Sequence, residues 1–264
     1  MPGSPVAIGS LRLNVGALAL TAYLIARGVP LTHLVSRWRS PEMAVAALGA
    51  AAYQPCFFLG IGSAGVPLGT LIAVGSAPVF TGVLAWLVLG QRAKGHWAVA
   101  TAVCLVGLAL LTGVGAASGA LAGVLLAAGA GLAASTFTIA AKRLMDRGVP
   151  KLEILASSFL LGSLVMLPVG GVVGLGWLAS GRGLALALYL GVATMALANI
   201  FYTRGLSGLP APSAATLTLA DPLTATLLGV SVLGQSLPGL GWMGLAVLSC
   251  GLLLQGWSSG TQRA

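Results

Sequence analysis

The feature that most constrains this chain is a series of apolar segments, each long enough to cross a bilayer as one helix. Of the 264 residues, 58% are hydrophobic and only 6% are charged, whereas a soluble domain carries about 25% charged residues. About 20 apolar residues suffice for a helical crossing, and the segments lack the apolar–polar alternation of outer-membrane strands. The sequence therefore predicts an all-α polytopic membrane protein.

Glycine, proline and charged residues divide the chain into nine predicted spans joined by short loops. We predict spans at residues 5–26, 42–63, 67–89, 95–112, 119–141, 152–174, 184–203, 211–233 and 239–257. Eleven of the 13 basic residues then fall on one side, in alternate loops and at the C-terminus. Because such a bias marks the cytoplasmic side, we expect a multi-pass protein of a bacterial-type cytoplasmic (inner) membrane with a cytoplasmic C-terminus.

An internal repeat links the two halves of the chain. The stretches VGSAPVFTGVLAWLVLGQ (74–91) and TLADPLTATLLGVSVLGQ (218–235) align at an offset of 144 residues, which also pairs Gly107 with Gly251. The repeat contains five spans, so successive copies must cross the membrane in opposite directions. Inverted repeats of this kind are frequent in secondary transporters. We expect residues 1–115 to form a truncated first repeat of four spans and residues 116–258 a second repeat of five.

The first repeat lacks a counterpart of the span at 119–141, which would lie before residue 1. Either the start codon has been assigned downstream of the true one, or the chain is a nine-span variant. An outer location of Met1, which the loop charges predict, fits the first explanation.

The repeated stretches resemble the EamA-type members of the drug/metabolite transporter superfamily. The matching residues are SAPVFTGVLAWLVLGQR (76–92), LADPLTATLLGVSVLGQS (219–236) and SPVAIGSLR (4–12). The resemblance implies two five-helix units in a ten-helix plan around a central cavity, and export or exchange of small metabolites by alternating access. Amino acids and drugs are both implied as substrate classes. Two departures are Gln91 and Gln235, which stand where the family has Glu, and the absent first helix.

Asp221 is the first candidate for a role in transport, because a carboxylate within a span is rare and costly. It could bind a proton or a cationic substrate. It could instead be the N-cap of a half-helix that begins at Pro222, since Asp suits the cap and proline the first helical position. A third interpretation pairs it with Arg12. The repeat aligns Pro222 with Pro78, so we expect a helix break at both prolines.

Five of the remaining candidates lie on the second and seventh predicted spans, which the repeat relates to each other. Arg12 either extends to the outer interface or contacts substrate or Asp221. Amide, aromatic and hydroxyl side chains could line a substrate or proton pathway, although a membrane Asn is about as often an interhelical hydrogen-bonding group. These candidates are Tyr53, Gln54, Asn199, Phe201, Tyr202 and Thr218.

The sequence offers no constellation for catalysis or metal binding. His33 lies in a predicted loop, His96 lies where a basic loop meets the next predicted span, and the three cysteines lie apart in apolar runs. We therefore expect no enzyme, no catalytic residue, no metal and no cofactor. The expected partners are a small-molecule substrate and the lipid bilayer, without nucleic acid, and a homodimer is left open. The alternative to transport is a non-transporting membrane scaffold or sensor, or a truncated inactive paralogue.

Overall fold

The computed structural model describes residues 5–113, 120–171 and 180–260, and within these ranges the chain is helical with no strand. The elements in chain order are α1 (Pro5–Ala26), α2 (Leu31–Ser36), a 3-10 turn (Arg37–Arg39), α3 (Pro41–Ala64), α4 (Val66–Leu89), α5 (Gly95–Thr112), α6 (Leu121–Asp146), α7 (Lys151–Gly171), α8 (Gly181–Leu188), a π-helix (Tyr189–Leu197), α9 (Ala198–Ser207), α10 (Ala211–Leu217), α11 (Ala220–Ser231) and α12 (Gly239–Gly260). The predicted fold class is confirmed.

Eight helical segments of the described chain are long and apolar enough to cross a membrane. They coincide with eight of the nine predicted spans, and the segment Gly181–Ser207 is one of them although it changes from α to π and back. The ninth predicted span, 211–233, consists of α10 and α11, of seven and 12 residues. Neither alone reaches the length of a crossing, so this span is a discontinuous helix.

The chain forms two compact units, each built from two stretches of sequence. The first unit is Met1–Leu59 with Thr136–Gly208, and the second is Gly60–Ser135 with Leu209–Ala264. Each unit therefore takes helices from both halves of the chain. The division into repeats at 1–115 and 116–258 is a statement about duplication and stays a prediction.

In the first unit, α1 packs against α7 and the π-helix. It buries Leu13, Ala17, Leu20 and Leu24, a spacing of three and four residues that places them on one face of the helix. Ser10 on the same helix donates a hydrogen bond to the Met166 carbonyl of α7 at 3.3 Å. An apolar stripe with an added polar contact thus fixes α1 against its neighbour.

Ion pairs collect at one end of the first unit. Glu153, at the start of α7, accepts hydrogen bonds from Arg37 at 2.8 and 3.2 Å and lies 3.2 Å from His33. Glu42, at the start of α3, lies 2.9 Å from Arg147. The basic loops after α1 and after α6 therefore meet at the same end of this unit, as the predicted topology requires.

In the second unit, α5 and α12 cross at two glycines. A Cβ added at Gly107 would meet the backbone of Leu248, and one added at Gly251 would lie 2.8 Å from the Cys104 backbone nitrogen. The same offset of 144 residues that pairs Gly107 with Gly251 also pairs Cys104 with Leu248. The two contacts are therefore equivalent under the predicted duplication, and each helix supplies the glycine for the other.

The duplication also recurs where α4 and α11 end. Gly90 and Gly234 adopt the left-handed conformation with φ of 66° and 65°. The following backbone N–H groups, of Gln91 and Gln235, each donate at 3.0 Å to a carbonyl six residues back, at Ala85 and Gly229. The bond spans one residue more than the six-to-one bond of the common glycine-terminated helix, and it is formed twice at matched positions.

Candidate functional site

Arg12 lies within α1, seven residues after its start, or about 10 Å along the helix axis. The side chain is part-exposed, but its Nε atom is buried and has no hydrogen-bond partner among the described residues. The Tyr53 hydroxyl group lies within electrostatic range of the guanidinium. Arg12 thus combines a part-exposed side chain with an inner nitrogen that no described residue satisfies.

Gln54 on α3 lies next to the same stretch of α1. It is only 1% exposed, and its Oε1 atom has no hydrogen-bond partner among the described residues. Gly9 makes the close approach possible, because a Cβ there would lie 3.0 Å from that oxygen and 2.7 Å from the Phe58 ring. Arg12 follows Gly9 by three residues, which places it on the neighbouring part of the same helix face.

Aromatic rings continue from Gln54 along α3. Tyr53 and Phe57 stack with centroids 5.4 Å apart, and Phe57 meets Phe58 edge to face at 5.5 Å. The structure therefore brings together three of the predicted candidates, Arg12, Tyr53 and Gln54, beside an apolar surface.

The candidates on α9 lie in different surroundings. Asn199 donates to the Met195 carbonyl of its own helical segment at 2.9 Å. Tyr202 shares a 2.8 Å hydrogen bond with Thr138 of α6. Phe201 is 60% exposed and its ring lies 5.9 Å from the Arg204 guanidinium. Tyr202 thus links α9 to α6. The Asn199 amide instead bonds its own helical segment, and the Phe201 ring lies near the Arg204 guanidinium of the same helix.

The helix break in the second unit precedes Asp221 by two residues. The chain turns at Thr218 and Leu219, and the Asp221 N–H donates to the Thr218 carbonyl at 3.0 Å. Leu219 is the N-cap of α11, so the prediction of an Asp221 cap with Pro222 in the first helical position is wrong. Pro222 occupies the third position instead, where a missing N–H also costs no intrahelical bond. The Asp221 side chain is exposed in the first turn of the half-helix.

The predicted break at Pro78 is also wrong, because α4 runs without interruption from Val66 to Leu89. Side-chain hydroxyls form hydrogen bonds beside the proline. The Ser135 hydroxyl of α6 donates to the Ala77 carbonyl at 2.8 Å and accepts from Thr81 at 3.0 Å. The carbonyl that loses its donor to Pro78 is that of Val74, four residues back, so these hydroxyl bonds lie beside the proline and do not replace the missing one. The proline is thus repeated in the two halves and the break is not.

A hydrogen-bonded cluster that sequence reasoning missed holds α10 in place. Thr216, fully buried near the end of α10, accepts from the Trp97 indole N–H at 3.1 Å and shares a 2.9 Å bond with Thr101. Both partners lie on α5. A tryptophan in the first turn of a span is usually read as an interfacial anchor, and only the observed packing turns its N–H towards Thr216.

Replacing Thr216 with Val is expected to destabilise the protein by about 1–2 kcal/mol, because the Trp97 indole N–H loses its acceptor and the Thr101 hydroxyl loses its hydrogen-bond partner. Thermal unfolding in detergent, followed by tryptophan fluorescence, measures the change. Thr224→Val is the matched control, since Thr224 is exposed and bonds only backbone carbonyls of its own helix. Equal unfolding temperatures for the two variants would contradict a fastening role for Thr216.

Comparison with known proteins places the chain in a family. The model of the EamA-like transporter family matches residues 3–113 and again 121–256. The chain is 36% identical over 252 residues to "Uncharacterized transporter YwfM" of Bacillus subtilis, covering 95% of this chain and 84% of that protein. It is 28% identical to "Uncharacterized inner membrane transporter YicL" of Salmonella typhimurium, covering 78% and 70%. A solved crystal structure at 21% identity superimposes with a TM-score of 0.74, covering 97% of this chain and 88% of the other.

The long apolar helices define the class first: an all-α, multi-pass membrane protein. The two matches to one family model then assign the family. The chain belongs to the EamA-like transporter family, so it is a membrane transporter, and its helices lie in a lipid bilayer.

Proposed function

We propose that the protein is a secondary transporter that exports or exchanges small metabolites, amino-acid-like or drug-like, by alternating access. The observation that carries this proposal is the discontinuous helix at Thr218–Leu219, with Asp221 exposed in the first turn after the break. Discontinuous helices place helix termini and ionisable groups where a transported solute or ion can meet them. The function is transport, and we assign the protein no catalytic role.

The duplicated contacts support alternating access. The reciprocal crossing of α5 and α12 at Gly107 and Gly251 and the matched ends of α4 and α11 are related by one sequence offset. Two copies of one repeat can swap conformations, so that each copy adopts the conformation that the other had before. This exchange gives a site two equivalent openings, one on each side of the membrane.

We further propose that the protein lies in a bacterial-type cytoplasmic membrane with its C-terminus in the cytoplasm. The meeting of Arg37 and Glu153, and of Arg147 and Glu42, at one end of the first unit supports this orientation. Basic loops are retained on the cytoplasmic side.

Counterflow in proteoliposomes tests the proposed function. Liposomes that contain the purified chain are preloaded with one unlabelled solute and diluted into a trace of the same labelled solute, across a panel of amino acids and amphiphilic drugs. We expect transient accumulation of the label for at least one solute, at several times the level in protein-free liposomes. A monodisperse, cooperatively unfolding protein with no counterflow for any solute would favour the scaffold or sensor alternative.

A further inference from the structure

The guanidinium of Arg12 is not neutralised by an acidic side chain of its own unit. The three acidic residues of that unit each pair with a basic residue near the opposite end: Glu42 with Arg147, Glu153 with Arg37, and Asp146 with Lys142. Arg12 lies 14 residues before the end of α1, or roughly 20 Å along the helix axis from that end. An intramembrane cation without a counter-charge is costly and is a functional hypothesis by default.

Gln54 supplies a second, independent observation at the same place. Its buried Oε1 atom faces the α1 backbone at Gly9 and accepts no hydrogen bond from any described residue. Leaving a buried amide oxygen unsatisfied costs about 1–3 kcal/mol. The site therefore lacks one anionic partner for Arg12 and one donor for Gln54.

We propose that Arg12 and Gln54 form a binding site for a small molecule that carries a carboxylate with a hydrogen-bond donor close to it. A guanidinium holds both oxygens of a carboxylate in a planar, bidentate arrangement, and the Gln54 carbonyl oxygen accepts from the donor. The Phe58 ring lies beside Gln54 against Gly9 of α1 and provides apolar contact. The inference rests on the proposed transport function, and it names the class of the transported solute.

The charge count selects a carboxylate over other ligands. Arg12 is the single basic residue in α1, and α3 carries none. One positive charge balances a carboxylate, whereas a phosphate monoester carries about two negative charges near neutral pH. A solute with only a positive charge would be repelled by Arg12.

Binding to the purified full-length chain, measured as a shift of its unfolding temperature in detergent, tests the site. Two matched sets of probes separate the carboxylate from the donor. One set is L-leucine, 4-methylpentanoate, L-leucinamide and 3-methylbutylamine, and the other is L-phenylalanine, 3-phenylpropanoate, L-phenylalaninamide and 2-phenylethylamine. We expect the amino acid of at least one set to stabilise the protein most, the deaminated acid less, and the amide and amine not at all.

Substitutions assign the effect to the two side chains. Arg12→Gln is expected to weaken carboxylate binding at least tenfold, with partial recovery in Arg12→Lys. Gln54→Leu is expected to reduce the response to the amino acid to that of the deaminated acid. Arg182→Gln, which removes an exposed charge at the start of α8, should leave binding unchanged.

Three results would overturn the inference: amides that stabilise as well as acids, an Arg12→Gln variant that retains its preference for acids, or a wild-type protein that responds to no probe. Counterflow is scored separately from binding. Counterflow of solutes without carboxylates, together with no acid preference in binding, would overturn the site and leave the transport function standing. Acid-selective binding that depends on Arg12, without counterflow, would support the site and contradict transport.

Discussion

Replacing Gly251 with Leu is expected to prevent stable folding, or to lower the free energy of unfolding by at least about 3 kcal/mol. A Cβ at this position would lie 2.6 Å from the Cys104 Sγ atom and 2.8 Å from the Cys104 backbone nitrogen, so the clash is with backbone as well as with a side chain. Overpacking of a close contact typically costs 1–3 kcal/mol, and a backbone that must move adds to this. Monodispersity in size-exclusion chromatography and the unfolding temperature in detergent measure the loss.

Gly256→Leu is the matched control on the same helix, because nothing lies within 4 Å of a Cβ added at Gly256. The two variants add the same apolar volume and remove the same backbone freedom, so their difference isolates the helix crossing. Gly107→Leu should be as damaging as Gly251→Leu, since it makes the equivalent contact from the other copy of the repeat. A Gly251→Leu protein as stable as the Gly256→Leu protein would contradict the tight crossing of α5 and α12.

The crossing also shows why so much of this fold could be predicted from the sequence. A membrane helix is defined by a long apolar run, and glycine, proline and charge mark where it stops. The predicted span 95–112 therefore has the bounds of α5, Gly95–Thr112, and the offset of 144 residues recurs in contacts that involve Gly107 and Gly251. Length, apolarity and repetition are properties of the chain that packing does not alter.

Helix breaks were harder to predict, because they depend on what surrounds the backbone. Pro78 and Pro222 look alike in sequence, yet α4 continues through Pro78, where Ser135 satisfies a neighbouring carbonyl, and the interruption near Pro222 lies at Thr218–Leu219. The Ser135 hydroxyl that bonds the backbone beside Pro78 is on another helix, 57 residues from that proline in the chain. No local pattern contains that information.

The candidate site likewise has features that the sequence predicts and features that only packing determines. Arg12 and Asp221 could be found from sequence because a charge in an apolar run is conspicuous. The sequence could not decide between the alternative roles of either residue, because the burial of the Arg12 Nε atom and the exposure of Asp221 depend on packing. Gln54 and Tyr53 were predicted by their place in the repeat, and the structure adds what the sequence lacked, which is an unsatisfied oxygen beside Gly9.

Asp221→Asn is expected to lower the accumulation of solute that a pH gradient drives by at least tenfold. It should leave the exchange of solute for solute unchanged. Asparagine keeps the size and polarity of the side chain but cannot carry a proton across. In α11 and in α12, which packs against it, the described residues include no other charged side chain. Among the described residues, no ion pair within these two helices neutralises the Asp221 carboxylate, which makes it the candidate for carrying a proton.

Proteoliposomes with an imposed pH gradient, using whichever solute shows counterflow, measure accumulation, and the same vesicles without a gradient measure exchange. Asp146→Asn is the control, because Asp146 is a half-exposed carboxylate that pairs with Lys142 at the end of α6. It should accumulate solute as the wild type does. Accumulation at the wild-type level in Asp221→Asn would refute proton coupling through this residue, and loss of exchange together with accumulation would move its role to solute binding. The two measurements therefore distinguish a role in proton transfer from a role in solute binding for Asp221, the one acidic side chain in the sequence of the second unit.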